Sequence, residues 1–182
     1  MTDTRSGRVV LGAATVAMGL IAGVFYVFAC AVMPAPARSD DRTYVEVMRD
    51  SDEVIQNPVF FLRFLGALVL TGVSAWQLRG AAGGRWVVAA LAAYALALLV
   101  TVVFDVPLNN GLAGQGSPSS LRLHFEGPWV AWNVVRAVLS TVALGCLTRV
   151  PMTGRPTAWL RPPTRPRTSH PRPGPAPAGS PA

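Results

Sequence analysis

Four long apolar stretches constrain the fold of this chain more than any other feature of its sequence. A transmembrane helix needs ~20 predominantly apolar residues to cross a hydrocarbon core of ~30 Å. Each stretch is close to or above that length, and the only charged residues inside them are Arg63 and Arg136. The stretches cover residues 9–33, 59–78, 86–104 and 129–148. We therefore predict an all-α membrane protein built as a bundle of four transmembrane helices.

The composition agrees with one membrane domain. The chain has 182 residues, of which 51% are hydrophobic and 14% charged, and this is too apolar for an ordinary soluble domain. Residues 1–8 form a short basic N-terminus, and residues 9–148 form the predicted transmembrane domain. Residues 149–182 contain ten prolines and six arginines. Such a segment cannot bury enough apolar surface to offset its ordering entropy, so we predict a disordered cytoplasmic tail.

The distribution of arginine predicts the topology. All 16 basic residues are arginine, and ten of them lie at the two ends of the chain or in the short loop at residues 79–85. The first long loop carries Arg38, Arg42 and Arg49, and the third carries only Arg122. The first long loop also carries six acids. The positive-inside rule then places both termini in the cytoplasm of a plasma (inner) membrane protein, with both long loops outside. The absence of lysine is consistent with codon bias, so the high arginine content is not taken as a sign of nucleic-acid binding. The four apolar stretches instead predict a lipid bilayer as the partner. The oligomeric state is left open.

The first long loop has the pattern of a short helix. Thr43 and Glu46 have the spacing of a capping box, and apolar residues recur at helical intervals on one side. The acids at 40, 41, 50, 52 and 53 are expected to face water. The apolar residues are Tyr44, Val47, Met48, Val54 and Ile55. We predict a short amphipathic helix on the outer surface, followed by a second span that Asn57 caps and Pro58 begins.

Cysteine and histidine give no sign of a metal site. Cys30 and Cys146 fall at opposite ends of the predicted bundle, too far apart for a disulfide. Neither has a neighbouring ligand residue, and the chain has only His124 and His170, so one protomer cannot form a three-histidine site. No metal or other cofactor is predicted.

The fourth span begins with a polar and aromatic pattern. If Pro128 opens the helix, Trp129, Trp132, Asn133 and Arg136 lie at i, i+3, i+4 and i+7 and share one face. Arg136 is then ~10 Å along the helix, inside the bilayer. An arginine at that depth indicates a functional site. A packing ion pair, or snorkelling to the interface, explains it equally well.

Other polar residues gather near the same predicted end of the bundle. Arg63 and Arg136 follow two outward helix N-termini, an arrangement that favours an anion or a developing oxyanion unless Asp105 and Glu126 cancel the field. Pro107 is expected to end the third helix, with a tight turn at Asn110-Gly111. Asn109 in that segment either caps backbone groups or binds a ligand. His124 is either a general base or an exposed loop histidine.

These motifs resemble those of the anthrone oxygenase-like family of small integral membrane proteins. The resemblance is carried by Asn57-Pro58-Val59-Phe60, by Asp105-Val106-Pro107-Leu108-Asn109-Asn110 and by Trp129-x-x-Trp132-Asn133-x-x-Arg136. It covers roughly residues 9–148. The family is associated with oxidation of anthrones to anthraquinones without an obvious bound cofactor, and its pattern falls on Asn109, Trp132, Asn133 and Arg136 here.

The resemblance implies a specific chemistry and a set of site residues. A base, His124 or Asp105, removes a proton from an activated aromatic ketone, and the resulting enolate reacts with dioxygen. Arg136 and Asn133 stabilise the enolate oxygen. Trp129, Trp132, Asn109 and Arg63 are the predicted substrate-binding residues. The alternative is a non-catalytic membrane protein that binds a small hydrophobic ligand, a lipid or a partner in the same pocket.

Overall fold

The computed structural model describes residues 4–153, which are almost entirely helical and contain no strand. Six α-helices follow one another: α1 (Thr4–Val27), α2 (Asp41–Ile55), α3 (Pro58–Gln77), α4 (Gly84–Val100), α5 (Val106–Ala113) and α6 (Pro118–Thr153). Two π-helical turns extend α1 and α4, at Phe28–Val32 and Thr101–Asp105. The predicted disordered tail begins within α6 and otherwise lies outside the described residues.

Four of these helical segments are long and apolar enough to cross a membrane, which confirms the predicted fold class. They cover Arg5–Arg38, Pro58–Gln77, Gly84–Ala113 and Pro118–Val150. In the bundle α1 packs against α3 and α6, and α4 packs against the same two helices. Alanine recurs where the helices meet, at Ala14, Ala67, Ala90, Ala97 and Ala143. Such small side chains let helix backbones approach closely, and leucine and valine are left to face lipid.

The helix ends differ from the predictions at two prolines. Pro107 does not end the third span, because the π-helical turn at Thr101–Asp105 passes directly into α5. Pro107 has no backbone N–H and cannot make an i to i−4 hydrogen bond. In the π-helical turn just before it, i to i−5 hydrogen bonds replace the i to i−4 pattern, so the helix continues past the proline. Pro128 does not open a helix, since α6 begins at Pro118. The residue before Pro128 is Gly127, which has no Cβ to clash with the proline ring.

The amphipathic helix in the first long loop is confirmed as α2, but its details are corrected. Its N-cap is Asp40, whose carboxylate accepts from the backbone N–H groups of Arg42 and Thr43, so the capping box from Thr43 to Glu46 is wrong. Its buried residues are Tyr44, Val45 and Met48, whereas Val47 and Val54 are exposed. These buried side chains pack on Leu112 of α5 and on Phe125 and Trp129 of α6. Thus α2 covers one end of the bundle.

Two arginines attach this cover to the bundle. Arg49 of α2 donates to the carbonyl oxygens of Leu112 and Gly114, at 2.9 and 2.8 Å. Arg122 of α6 donates to the carbonyl oxygens of Ala37 and Ser39, at 2.9 and 3.0 Å. The loop that contains α2 is therefore fixed to both α5 and α6, directly above the polar residues of the spans.

Candidate functional site

Beneath α2 lies a cavity of about 230 Å³, here called the main pocket. It is lined by side chains from all four transmembrane segments and from α2; the third segment contributes through its π-helical turn and α5. They are Val24, Phe25, Phe28, Met48, Ser51, Asp52, Ile55, Gln56, Phe60, Phe61, Phe64, Thr101, Asp105, Val106, Asn109, Asn110, Trp129, Asn133 and Arg136. Apolar walls with a few convergent polar groups are typical of a small-molecule site.

Arg136 lies deep in the main pocket and is 6% exposed. Its guanidinium carbon is 4.6 Å from the ring centre of Phe25 and 5.5 Å from that of Trp129. Its Nη2 donates to Asn133 Oδ1 at 3.2 Å, and Asn133 Nδ2 donates to the Phe25 carbonyl oxygen at 3.1 Å. The charge is therefore held by two aromatic faces and one amide, which fix the direction of its remaining N–H groups.

Asp105 stands beside Arg136 on the π-helical turn of the third span. Its Oδ1 is 3.1 Å from Arg136 Nη2, and Asp105 is 2% exposed. The contact is an ion pair without an aligned hydrogen bond. Among the residues that the structure describes, neither Asp105 oxygen nor Arg136 Nε has a hydrogen-bond partner. The Arg136 Nε–H group can therefore still donate a hydrogen bond to a ligand, and the Asp105 oxygens can still accept one.

Three further residues of the pocket wall form a hydrogen-bond network. Trp129 Nε1 donates to Asn109 Oδ1 at 2.9 Å, and Asn109 Nδ2 donates to Asp52 Oδ1 at 2.6 Å. Sequence reasoning placed Asp52 in water, but the structure places it half-buried in the pocket wall. The signal was present, because Tyr44, Met48 and Asp52 lie at i, i+4 and i+8 and therefore share a helix face.

The structure brings five of the eight predicted site residues together. Arg136, Asn133, Asp105, Asn109 and Trp129 all line the main pocket. The roles assigned to them stay predictions.

Three predicted site residues lie elsewhere. Trp132 stacks on Phe104 with ring centres 3.8 Å apart, His124 is exposed with its Nδ1 2.8 Å from the Ser120 carbonyl oxygen, and Arg63 is exposed on α3. None of the three lines the main pocket. The proposed help from the fourth helix's N-terminus is also wrong, because Pro118 precedes Arg136 by ~27 Å of helix and the dipole effect fades within one turn.

No group of three or more metal-ligating side chains occurs within the described part of the chain. Asp105 and Asp52 are the two acids of the main pocket, and each faces an amide or a guanidinium. The chemistry that this pocket offers is therefore a carboxylate acceptor beside a fixed cation, enclosed by aromatic rings.

A comparison with known protein families identifies a family whose model covers most of the polar residues of the main pocket. The family model described as Anthrone oxygenase matches residues 58–146. This range starts with α3 and includes Asp105, Asn109, Trp129, Asn133 and Arg136, whereas the covering helix α2 precedes it. No curated protein and no solved structure matches the chain. The match confirms the resemblance predicted from the sequence: residues 58–146 of this multi-pass membrane protein are similar to the anthrone oxygenase family.

Proposed function

We propose that the protein oxidises an activated aromatic ketone of the anthrone class with dioxygen in the main pocket, without a bound cofactor. The observation that carries the proposal is the buried arrangement of Arg136 and Asp105, which leaves both carboxylate oxygens and Arg136 Nε without hydrogen-bond partners among the described residues. The family match over the same residues supports it.

The pocket walls suit a planar aromatic substrate. Phe60 and Phe64 stack with ring centres 5.4 Å apart, and Phe25 meets Phe64 edge to face at 6.3 Å. Aromatic rings of this kind bind another flat ring through its face or its edge. Arg136 then presents its free N–H to the ketone oxygen, with Asn133 holding the guanidinium in place.

Asp105 is the proposed general base. Its carboxylate accepts a proton from the methylene opposite the ketone, and the electron pair of that C–H bond moves through the ring system onto the ketone oxygen. Arg136 stabilises the resulting enolate, because its charge lies in a site of low dielectric where such interactions are strong. His124 is the weaker candidate, since its ring is exposed and bonded to the Ser120 carbonyl oxygen.

The enolate then reduces dioxygen. Electron transfer from the enolate carbon to dioxygen and bond formation between them give a peroxide at the former methylene. Loss of the second C–H proton breaks the O–O bond and leaves a carbonyl. The methylene carbon gives up four electrons and dioxygen accepts them, so one oxygen atom enters the quinone and the other leaves as water with both methylene hydrogens.

The test is turnover by the purified protein in detergent micelles. Anthrone is added under air, and oxygen uptake and quinone absorbance are followed against protein-free micelles, which report spontaneous oxidation. With ¹⁸O₂ the new carbonyl should carry the label. We expect Asp105→Asn to lower kcat by about 10²–10⁴-fold and Arg136→Gln by about 10²–10³-fold.

Two further variants sharpen the test. Asp50→Asn is the matched control, because it removes an exposed acid of α2 that does not line the main pocket, and it should keep full activity. Arg136→Lys keeps the charge but loses the planar fork, so it should be nearly as inactive as Arg136→Gln. Saturable anthrone binding without oxygen uptake above the micelle background would contradict catalysis, and would favour a non-catalytic binding protein.

A further inference from the structure

Asp52 is the charged residue through which α2 reaches the main pocket. Its Oδ1 accepts from Asn109 Nδ2 of α5 at 2.6 Å, and its Oδ2 accepts from Gln56 Nε2 at 3.0 Å. Both carboxylate oxygens are therefore engaged, one across the wall of the pocket and one along α2. The family match begins after Asp52, so nothing in it assigns this residue a role.

The partners on either side of Asn109 determine the orientation of its amide. A carboxylate only accepts hydrogen bonds, so it selects the Nδ2 end of the asparagine. An indole Nε1–H only donates, so Trp129 selects the Oδ1 end, which it meets at 2.9 Å. Asn109 can satisfy both neighbours in one orientation alone. Without Asp52, the side-chain amide of Asn109 is free to rotate, and its hydrogen bond with Trp129 Nε1 is weakened.

Trp129 connects this series of hydrogen bonds to Arg136 in the main pocket. Its ring lies 5.5 Å from the guanidinium carbon of Arg136, and Trp129 is 6% exposed. The contacts thus run from Asp52 on α2 through Asn109 on α5 to Trp129 and Arg136 on α6. A covering helix is coupled in this way to the groups that face the substrate.

The same residues also separate two cavities. A polar cavity of about 520 Å³ lies on the other side of Asp52, Gln56 and Asn109, all three of which line both spaces. Arg49 and Glu53 are the further charged residues of this polar cavity. The hydrogen bonds of Asp52 therefore hold together the wall between the apolar main pocket and a polar space.

We infer that Asp52 is a positioning residue of the main pocket, which orients Asn109 and through it Trp129 by accepting a hydrogen bond. This inference rests on the proposed function, because the pocket that Asp52 shapes is the one assigned to the substrate. The role requires an acceptor oxygen at position 52 and does not require a negative charge. Asp52→Asn keeps the shape and an acceptor oxygen, whereas Asp52→Leu keeps the approximate size and loses the acceptor.

The first test is spectroscopic and needs no turnover. The protein is labelled with ¹⁵N at the tryptophan indoles, and the Trp129 signal is identified by its loss in Trp129→Phe. In micelles, Asp52→Leu should move the Trp129 indole proton upfield as its hydrogen bond weakens. Asp52→Asn should leave the signal in place. Asp50→Leu and Asp50→Asn, at an exposed position of the same helix, are the matched controls.

The second test uses the anthrone assay. Asp52→Leu should raise KM by about ten-fold or more, the effect of losing a hydrogen bond to a charged group, and Asp52→Asn should restore a KM close to the unsubstituted value. If Asp52→Leu does not fold, Asp52→Ala, which also removes the acceptor but adds no bulk, should move the same indole signal.

The inference is overturned if Asp52→Leu, or Asp52→Ala in its place, leaves the indole signal unmoved. It is also overturned if Asp52→Asn is as damaging as Asp52→Leu, since that result would require the charge itself. Absence of turnover in the unsubstituted protein would instead contradict the proposed function, and the indole signals would still decide the position of Trp129.

Discussion

At the scale of single residues, the buried pair of Arg136 and Asp105 serves both stability and the proposed reaction. Removing one partner leaves the other charge uncompensated in a site that is almost completely buried. Breaking such a pair costs about 3–5 kcal/mol, whereas removing both charges costs far less. The two functions of the pair can therefore be separated by measuring stability and turnover on the same variants.

We predict that Arg136→Gln lowers the unfolding midpoint in detergent, and that Asp105→Asn in the same chain restores most of the loss by removing the orphaned carboxylate. Both the single and the double variant should oxidise anthrone at least about 10²-fold more slowly than the unsubstituted protein. Thermal unfolding followed by circular dichroism measures the first result. A double variant no more stable than Arg136→Gln would show that the two charges are not energetically coupled.

Asp52 leads to a prediction about pH. Burial raises the pKa of Asp52, and hydrogen bonds from Gln56 and Asn109 offset part of the rise. A carboxyl group whose pKa is raised in the folded state binds its proton more tightly there than in the unfolded chain. Its contribution to the free energy of unfolding is fully present below the unfolded-state pKa of ~3.9, and it is lost as pH rises through the folded-state pKa. Asp52→Asn stays uncharged, so it should gain stability relative to the unsubstituted protein as pH rises from ~3.9 through the raised pKa of folded Asp52.

Denaturant unfolding at several pH values measures this difference. Asp50→Asn is the matched control for the loss of one carboxylate from α2, because Asp50 is exposed. A stability difference between Asp52→Asn and the unsubstituted protein that does not change with pH would contradict the prediction.

At the scale of helices, α2 depends on its N-cap because it is short and mostly polar. The Asp40 carboxylate accepts from the backbone N–H groups of Arg42 and Thr43 at 3.0 and 3.1 Å and from Thr43 Oγ1 at 2.7 Å. These bonds, the Thr43 hydroxyl first, lower the pKa of Asp40. The cap is consequently present at neutral pH and is lost only as pH falls through that lowered pKa.

We predict that Asp40→Ala loosens α2 and with it the cover of the main pocket. Amide hydrogen exchange should speed up in the first turns of α2 and remain unchanged in α4, which lies within the bundle. Asp40→Asn keeps an acceptor oxygen for the backbone and should show a much smaller change. Equal exchange in Asp40→Ala and the unsubstituted protein would mean that Arg49 and the apolar contacts hold α2 without its cap.

At the scale of the whole molecule, the acids of the described residues gather at one end of the bundle, where Arg38, Arg42, Arg49 and Arg122 also lie. The acids of the first long loop, together with Asp105 and Glu126, lie at the end covered by α2, and the short loop between α3 and α4 carries Arg79 and Arg85. The positive-inside rule predicts that this arginine-bearing end faces the cytoplasm. The main pocket then lies near the outer surface of the membrane.

Reporter fusions test this orientation. A reporter that is active only outside the cytoplasm should be inactive after Ala182, and active when inserted after Gln115 in the exposed loop before α6. A reporter that works only inside the cytoplasm should give the opposite pattern. Outside activity after Ala182 would reverse the topology and move the main pocket to the cytoplasmic face.

The sequence by itself determined the number of spans, the presence of α2, the resemblance to the anthrone oxygenase family over residues 58–146 and five of the pocket residues. Span length follows from bilayer thickness, and an amphipathic helix follows from its 3.6-residue period, so both are local properties of the chain. A charge within an apolar run is expensive, and this rule selected both Arg136, which lines the main pocket, and Arg63, which is exposed on α3.

Only the tertiary structure decided which neighbours these side chains meet. The spacing of Trp129 and Trp132 allows both to share a face, yet the packing of α4 against α6 places Trp132 on Phe104 and leaves Trp129 in the main pocket. Asp52 was assigned to water with the other acids of the charged face of α2. Asn109, 57 positions away in the chain, supplies the hydrogen-bond partner that offsets the cost of burying it. Helical periodicity specifies a face, and only the docking of helices determines what lies opposite it.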